Sequence, residues 1–148
     1  MSLESRLNDD LKTAMRAKDQ ASLRTIRAIK TALTLLKTDG SGSEINEEAE
    51  IKLLQKLAKQ RKDSLDIYDK QGREDLAVKE REEIAVLEKY LPAQMDEAEL
   101  ENFLKGLVTQ TGASGMGDMG KVMGMASKQL AGKADGKTIS GIVRKLLA

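Results

Sequence analysis

The chain has 148 residues, 40% hydrophobic and 33% charged, with a formal net charge of +1, a balance that suits one domain or two small ones. It has no His and no Cys, which removes an imidazole base, a thiolate nucleophile, a disulfide framework and every nitrogen or sulfur side-chain metal ligand. Carboxylates and lysines do acid–base work only when burial beside a partner shifts them, so the composition argues against a self-contained enzyme, a metal site or a bound cofactor.

Ala, Leu, Lys, Glu and Gln dominate and no run of β-branched residues occurs, so local propensity is helical and the predicted class is all-α. No stretch approaches the length of a membrane span, and the N-terminus lacks the apolar core of a signal peptide. Together with the missing cysteines, this predicts a cytosolic protein with no membrane partner.

Leu3, Leu7, Leu11, Ala14 and Met15 recur at helical spacing behind a cap at Ser2. Asp19 caps a second predicted helix, in which Leu23, Ile26, Ile29, Leu33 and Leu36 form one apolar stripe. Thr38 to Ser43, TDGSGS, reads as a flexible turn. Asn46 opens a long helix through Ile51, Leu54, Leu57, Ala58, Leu65 and Tyr68, ending near Gly72, and a fourth runs through Leu76, Ile84 and Leu87 to Leu91. Pro92 stops it, because proline disfavours helical geometry at the residue before it.

Pro92 also marks a change in composition, since most of the 12 glycines and 7 methionines lie beyond it. The predicted boundary therefore separates a four-helix N-terminal domain, residues 1–92, from a smaller three-helix C-terminal domain, residues 93–148. In the second, Asp96 and Glu99 have capping-box spacing ahead of Leu100, Phe103, Leu104, Leu107 and Val108. Two more helices follow, from about Asp118 to Leu130 and from about Thr138 to Leu147.

The segment GMGDMGK, Gly115 to Lys121, fits G-x-G-x-x-G and the start of a phosphate-binding loop. Such loops follow a buried strand, whereas here a helix precedes and no strand is expected. Val122 stands where a Ser or Thr would hold magnesium, and the Asp118 carboxylate would oppose a phosphate. Asp118 is better placed as the N-cap of the next helix. Within that helix Met119, Val122, Met123, Ala126 and Leu130 share an apolar face, with Lys121 and Lys128 opposite and Gly120 and Gly124 beside them. The last helix repeats this: Ile139, Ile142, Val143, Leu146 and Leu147 face the core, and Gly141 lies opposite near Arg144 and Lys145. A glycine inside a helix costs roughly 1 kcal/mol relative to alanine. These glycines therefore serve either tight helix packing inside the domain or close approach of a partner helix or sugar–phosphate chain.

Charge is unevenly spread. Lys12, Arg16, Lys18, Arg24, Arg27, Lys30 and Lys37 face only Asp19 between residues 11 and 37, and residues 119–148 carry six cations, Lys121 to Lys145, against Asp135. Residues 74–101 are acidic. On charge alone, solvated faces attracting one another inside the fold explain this better than two surfaces for a polyanion do.

DMGKVMG (Asp118 to Gly124) and GKADGKTISGIVRKLL (Gly132 to Leu147) resemble the signature of the GatB/YqeY domain. LRTIRAIKTAL (Leu23 to Leu33) and QGREDLAVKEREEIAVLEKYLPAQM (Gln71 to Met95) resemble the free-standing YqeY-like proteins, so the resemblance spans essentially the whole chain. It implies kinship with the helical C-terminal tail of the B subunit of tRNA-dependent amidotransferases, which convert glutamyl-tRNA or aspartyl-tRNA to the amide. That tail meets the tRNA body away from the chemistry; the ATP-dependent kinase and glutaminase modules lie elsewhere. A family label of carbon–nitrogen ligase with glutamine as amido-N-donor would be inherited from the larger enzyme.

The resulting expectation is a non-catalytic accessory protein of tRNA metabolism. Its RNA-binding candidates are Lys121, Lys128, Lys133, Lys137, Arg144 and Lys145, with Arg24, Arg27 and Lys30 as a second patch. Gly120, Gly124 and Gly141 would admit the nucleic-acid backbone. Scarce aromatics argue against stacking on single-stranded bases and for phosphate contact with a folded RNA. The alternative is a protein-interaction module in which the glycine strips dock a partner helix, from an aminoacyl-tRNA synthetase or an amidotransferase.

Overall fold

The computed structural model describes residues 2–39 and 45–148. Among them are seven α-helices, one short 3-10 helix and no strand, so the chain is all-helical. It divides into two compact units, Met1–Leu91 and Pro92–Ala148. From residue 40 onward the expected Thr38–Ser43 turn lies outside the described residues.

In the N-terminal unit, α1 (Leu3–Ala17), α2 (Gln20–Lys37) and α3 (Glu47–Lys70) each start on a side-chain cap. Ser2, Asp19 and Asn46 sit in extended geometry and accept from the N–H of Ser5, Ser22 and Ala49 at 3.1, 3.1 and 2.8 Å, which satisfies orphan donors of the first turn. The α1–α2 turn is left-handed at Lys18, φ 56°, with Asp19 N–H returning to Ala14 O at 3.0 Å. The same closure ends α3 at Gly72, φ 68°, where Arg73 N–H reaches Tyr68 O at 2.9 Å. Glycine adopts that geometry without a Cβ penalty; Lys18 bears one.

The fourth helix, α4 (Glu74–Glu88), is shorter than expected. Lys89, Tyr90 and Leu91 donate to carbonyls three residues back, at 3.2, 3.0 and 3.3 Å. The helix thus tightens before Pro92, whose ring disfavours α geometry at Leu91. The core contains Leu7, Ile26, Ile29, Leu54 and Leu87, all essentially inaccessible. Met15, expected on the apolar stripe of α1, is instead 56% exposed, because the buried contact of that turn falls to Ala14. Tyr90 closes one end: its hydroxyl donates to Asp10 Oδ2 at 2.5 Å, and the Arg6 guanidinium lies 5.0 Å from its ring centroid. Burial pushes the phenol up strongly, and the Asp10 hydrogen bond adds to it.

In the C-terminal unit, α5 (Glu97–Thr111), α6 (Met119–Gln129) and α7 (Gly136–Leu147) each pack against the other two. Their shared core is Leu100, Leu104, Leu107, Val122, Ala126, Leu130, Ile139, Val143 and Leu147. Asp96 accepts from Glu99 N–H at 2.8 Å and Asp135 from Thr138 N–H at 2.7 Å. The second cap starts α7 two residues before the expected Thr138.

Candidate nucleic-acid interface

The glycine segment follows a helix: α5 ends at a left-handed Gly112, and a 3-10 turn, Met116–Asp118, runs directly into α6. Asp118 does not cap α6 with its side chain. A capping residue needs extended geometry to turn its oxygen onto the next N–H groups, but Asp118 sits at φ −94°, ψ 0°. Its carboxylate instead turns back to accept from Ser114 N–H at 3.1 Å, so the side chain braces the loop.

On α6, Val122 and Ala126 are fully buried, and Gly120, Lys121, Gly124, Ser127 and Lys128 are exposed. A Cβ added at Gly120 or Gly124 would meet nothing within 4 Å. Neither has a positive φ, so neither backbone strain nor packing inside the unit accounts for these glycines. On α7, Ile139, Val143 and Leu147 are buried, while Lys137, Gly141, Arg144 and Lys145 are exposed. Gly141 likewise faces open space. Tight helix packing within the domain, one of the two readings of the glycines, finds no support in this geometry.

Lys121, Lys128, Arg144 and Lys145 enter no ion pair among the described residues, whereas Lys105 of α5 pairs with Glu101 at 3.5 Å. Lys133 is exposed in the α6–α7 loop and Lys137 in the first turn of α7. The acids of α5 sit mostly at its start, Glu97 and Glu99 in the first turn, where the helix dipole favours them.

The second patch is arranged differently. Arg24 pairs with Glu82 at 3.1 Å and Glu83 at 3.7 Å, both on α4. Lys30 Nζ donates to Asn8 Oδ1 at 2.8 Å. Arg27 alone of the three is exposed on α2. Glu83 also receives Arg61 of α3 at 3.4 Å, the two side chains only 16% and 17% exposed. Nearby Glu80 has its carboxyl pushed up, by burial first and then by the Glu83 charge.

One feature of the C-terminal unit carries no periodic or compositional signal and so escaped sequence reasoning. The Gln94 carboxamide donates to Gly132 O at 2.5 Å and Pro92 O at 3.3 Å, and Met95 N–H donates to Lys133 O at 3.0 Å. The α6–α7 loop is thereby tied to the segment that enters α5.

No group of three or more carboxylates is placed to hold a metal among the described residues, and no helix there is long and apolar enough to cross a membrane. A model of the Yqey-like protein family matches residues 4–147. Similar curated proteins include the "Altered inheritance of mitochondria protein 41, mitochondrial" of Vanderwaltozyma polyspora, 35% identical over 76% of this chain and 64% of the relative. The proteins of that name from Lachancea thermotolerans and Kluyveromyces lactis are 36% and 34% identical, over 70% and 91% of this chain and 57% and 70% of theirs. The matches thus span less than two thirds of the first two relatives' own length. The expectation of a cytosolic protein is overturned, since these relatives are named as mitochondrial. By the extent of the family match, the chain belongs to the Yqey-like protein family.

Proposed function

We propose that the chain is a non-catalytic RNA-binding protein that holds the folded body of a tRNA against the exposed faces of α6 and α7. The observation that carries this is the pairing of solvent-facing helix glycines with cations that have no internal counter-charge. Gly120, Gly124 and Gly141 stand in open space, and each shares its exposed face with Lys or Arg. A helix whose side chains stop at the backbone lets a sugar–phosphate chain come close, and unpaired lysines neutralise its phosphates. The resemblance of the same residues to the amidotransferase tail supports a tRNA rather than a generic polyanion. Within this reading α1–α4 and α5–α7 are separately folding domains, and any part in carbon–nitrogen ligase chemistry is as an accessory of a larger enzyme.

Fluorescence anisotropy with labelled total tRNA across a salt series tests the reading. Affinity should fall with a slope of about −0.9 per neutralised phosphate, taking duplex DNA as reference. The Lys121→Ala, Lys128→Ala double variant should flatten that slope by roughly one to two. Gly124→Leu should weaken binding while leaving the thermal transition in place. Binding to tRNA no tighter than to random duplex DNA, or a double variant that behaves as the unchanged chain, would sink the reading. The glycine strips would then be taken as a docking face for a partner helix.

A further inference from the structure

We propose that Gln94 is a positioning residue for the α6–α7 loop, fixing Lys133 in place for a phosphate; this rests on the RNA-binding reading above. Gly132 and Pro92 present carbonyl oxygens to the Gln94 side chain. Carbonyls only accept, so the carboxamide must turn its NH2 toward both, one hydrogen to each. Gly132 is buried and left-handed, φ 78°, a geometry that removes its carbonyl from any helical ladder and leaves it dependent on an outside donor.

The next residue is held at both ends of its backbone. Lys133 N–H donates to Leu130 O at 2.8 Å, and Lys133 O accepts from Met95 N–H at 3.0 Å. With its peptide groups fixed on either side, the exposed Lys133 side chain leaves the loop from a fixed Cα. A lysine presented this way needs no backbone ordering when it meets a phosphate, which lowers the cost of binding. Gln94 itself reaches no ligand. It acts through Lys133.

Gln94→Met keeps the length of the side chain and removes both donors. Amide hydrogen exchange should then quicken at Met95 and Lys133 by roughly threefold to tenfold, the worth of one ordinary hydrogen bond. Exchange at Val143 in the α7 core should stay unchanged. Gln94→Lys, which restores a donor of similar reach, should slow the loop again. Unchanged exchange at Met95 and Lys133 in Gln94→Met would overturn the clamp. The second arm measures total tRNA affinity for Gln94→Met, Lys133→Ala and the double variant. If Gln94 acts through Lys133, the double variant is no weaker than the weaker single one; additive losses overturn the positioning role. Absence of tRNA binding by the unchanged chain overturns the proposed function, and the exchange arm still decides the clamp on its own.

Discussion

Residues 11–37 and 119–148 are both strongly basic in sequence, yet the fold treats them differently. α2 turns Arg24 onto Glu82 and Glu83 and Lys30 onto Asn8, while Lys37 pairs with Glu4 at 2.7 Å. α6 and α7 leave Lys121, Lys128, Arg144 and Lys145 outside any ion pair among the described residues. The difference lies in the neighbouring helix. α2 packs beside both α4, which supplies Glu82 and Glu83, and α1, which supplies Glu4 and Asn8, whereas α5 keeps Glu97 and Glu99 in its first turn. A basic stretch keeps its charge free for an outside counter-ion where the helices beside it place no acid within reach.

The largest test of this contrast asks whether the two halves respond separately. Leu87→Ala and Leu104→Ala each remove a wholly buried side chain, one from each core, and each should cost about 2–5 kcal/mol. If the halves fold independently, chemical denaturation followed by residue-resolved NMR will shift only the mutated half. A shift of both halves by either variant would unite them into one cooperative fold.

Smaller effects probe the charges and the turns. Glu83→Gln strips the carboxylate from between Arg24 and Arg61, whose Nε is already buried without a hydrogen-bond partner. Urea denaturation should show a loss of roughly 1–3 kcal/mol, since one partner is left largely enclosed. Gly120→Ala with Gly124→Ala should move the other way, stabilising α6 by about 1–2 kcal/mol in sum, because each new Cβ has open space. The same pair should weaken tRNA binding, so stability and affinity part company. A variant that melts lower would mean the glycines serve the fold after all. Lys18→Gly relieves the left-handed lysine of the α1–α2 turn and should add about 0.5–1 kcal/mol, read from the thermal midpoint. Lys121→Ala with Lys128→Ala should change stability by no more than about 0.5 kcal/mol; a larger loss would mean that these cations serve the fold.

How much of this could be read beforehand follows the range of each interaction. The caps at Ser2, Asp19, Asn46 and Asp96 depend on residues within one turn, and they were legible. So were the exposed faces of α6 and α7, which follow from periodicity alone. Asp118 misled because its backbone angles are those of the 3-10 turn that it ends, and no residue type announces that turn. The Arg24 pairs and the Gln94 clamp join residues 58 and 38 apart. Contacts at that distance are made by packing, and a single sequence carries no local sign of them.

The scattering of aromatic side chains governs what an optical experiment on this protein can see. There is no tryptophan, and the two tyrosines, Tyr68 and Tyr90, both belong to the N-terminal unit; Phe103 is the sole aromatic of the other. Absorbance and emission excited near 280 nm therefore watch α1–α4 and are blind to α5–α7. Burial, with the hydrogen bond to Asp10, holds the Tyr90 phenol above its ordinary ionisation, so its absorbance change in a spectrophotometric base titration should come late. A melting curve recorded by tyrosine emission follows the unit that bears Tyr68 and Tyr90 and carries no direct signal from the one that bears Lys121 and Lys128.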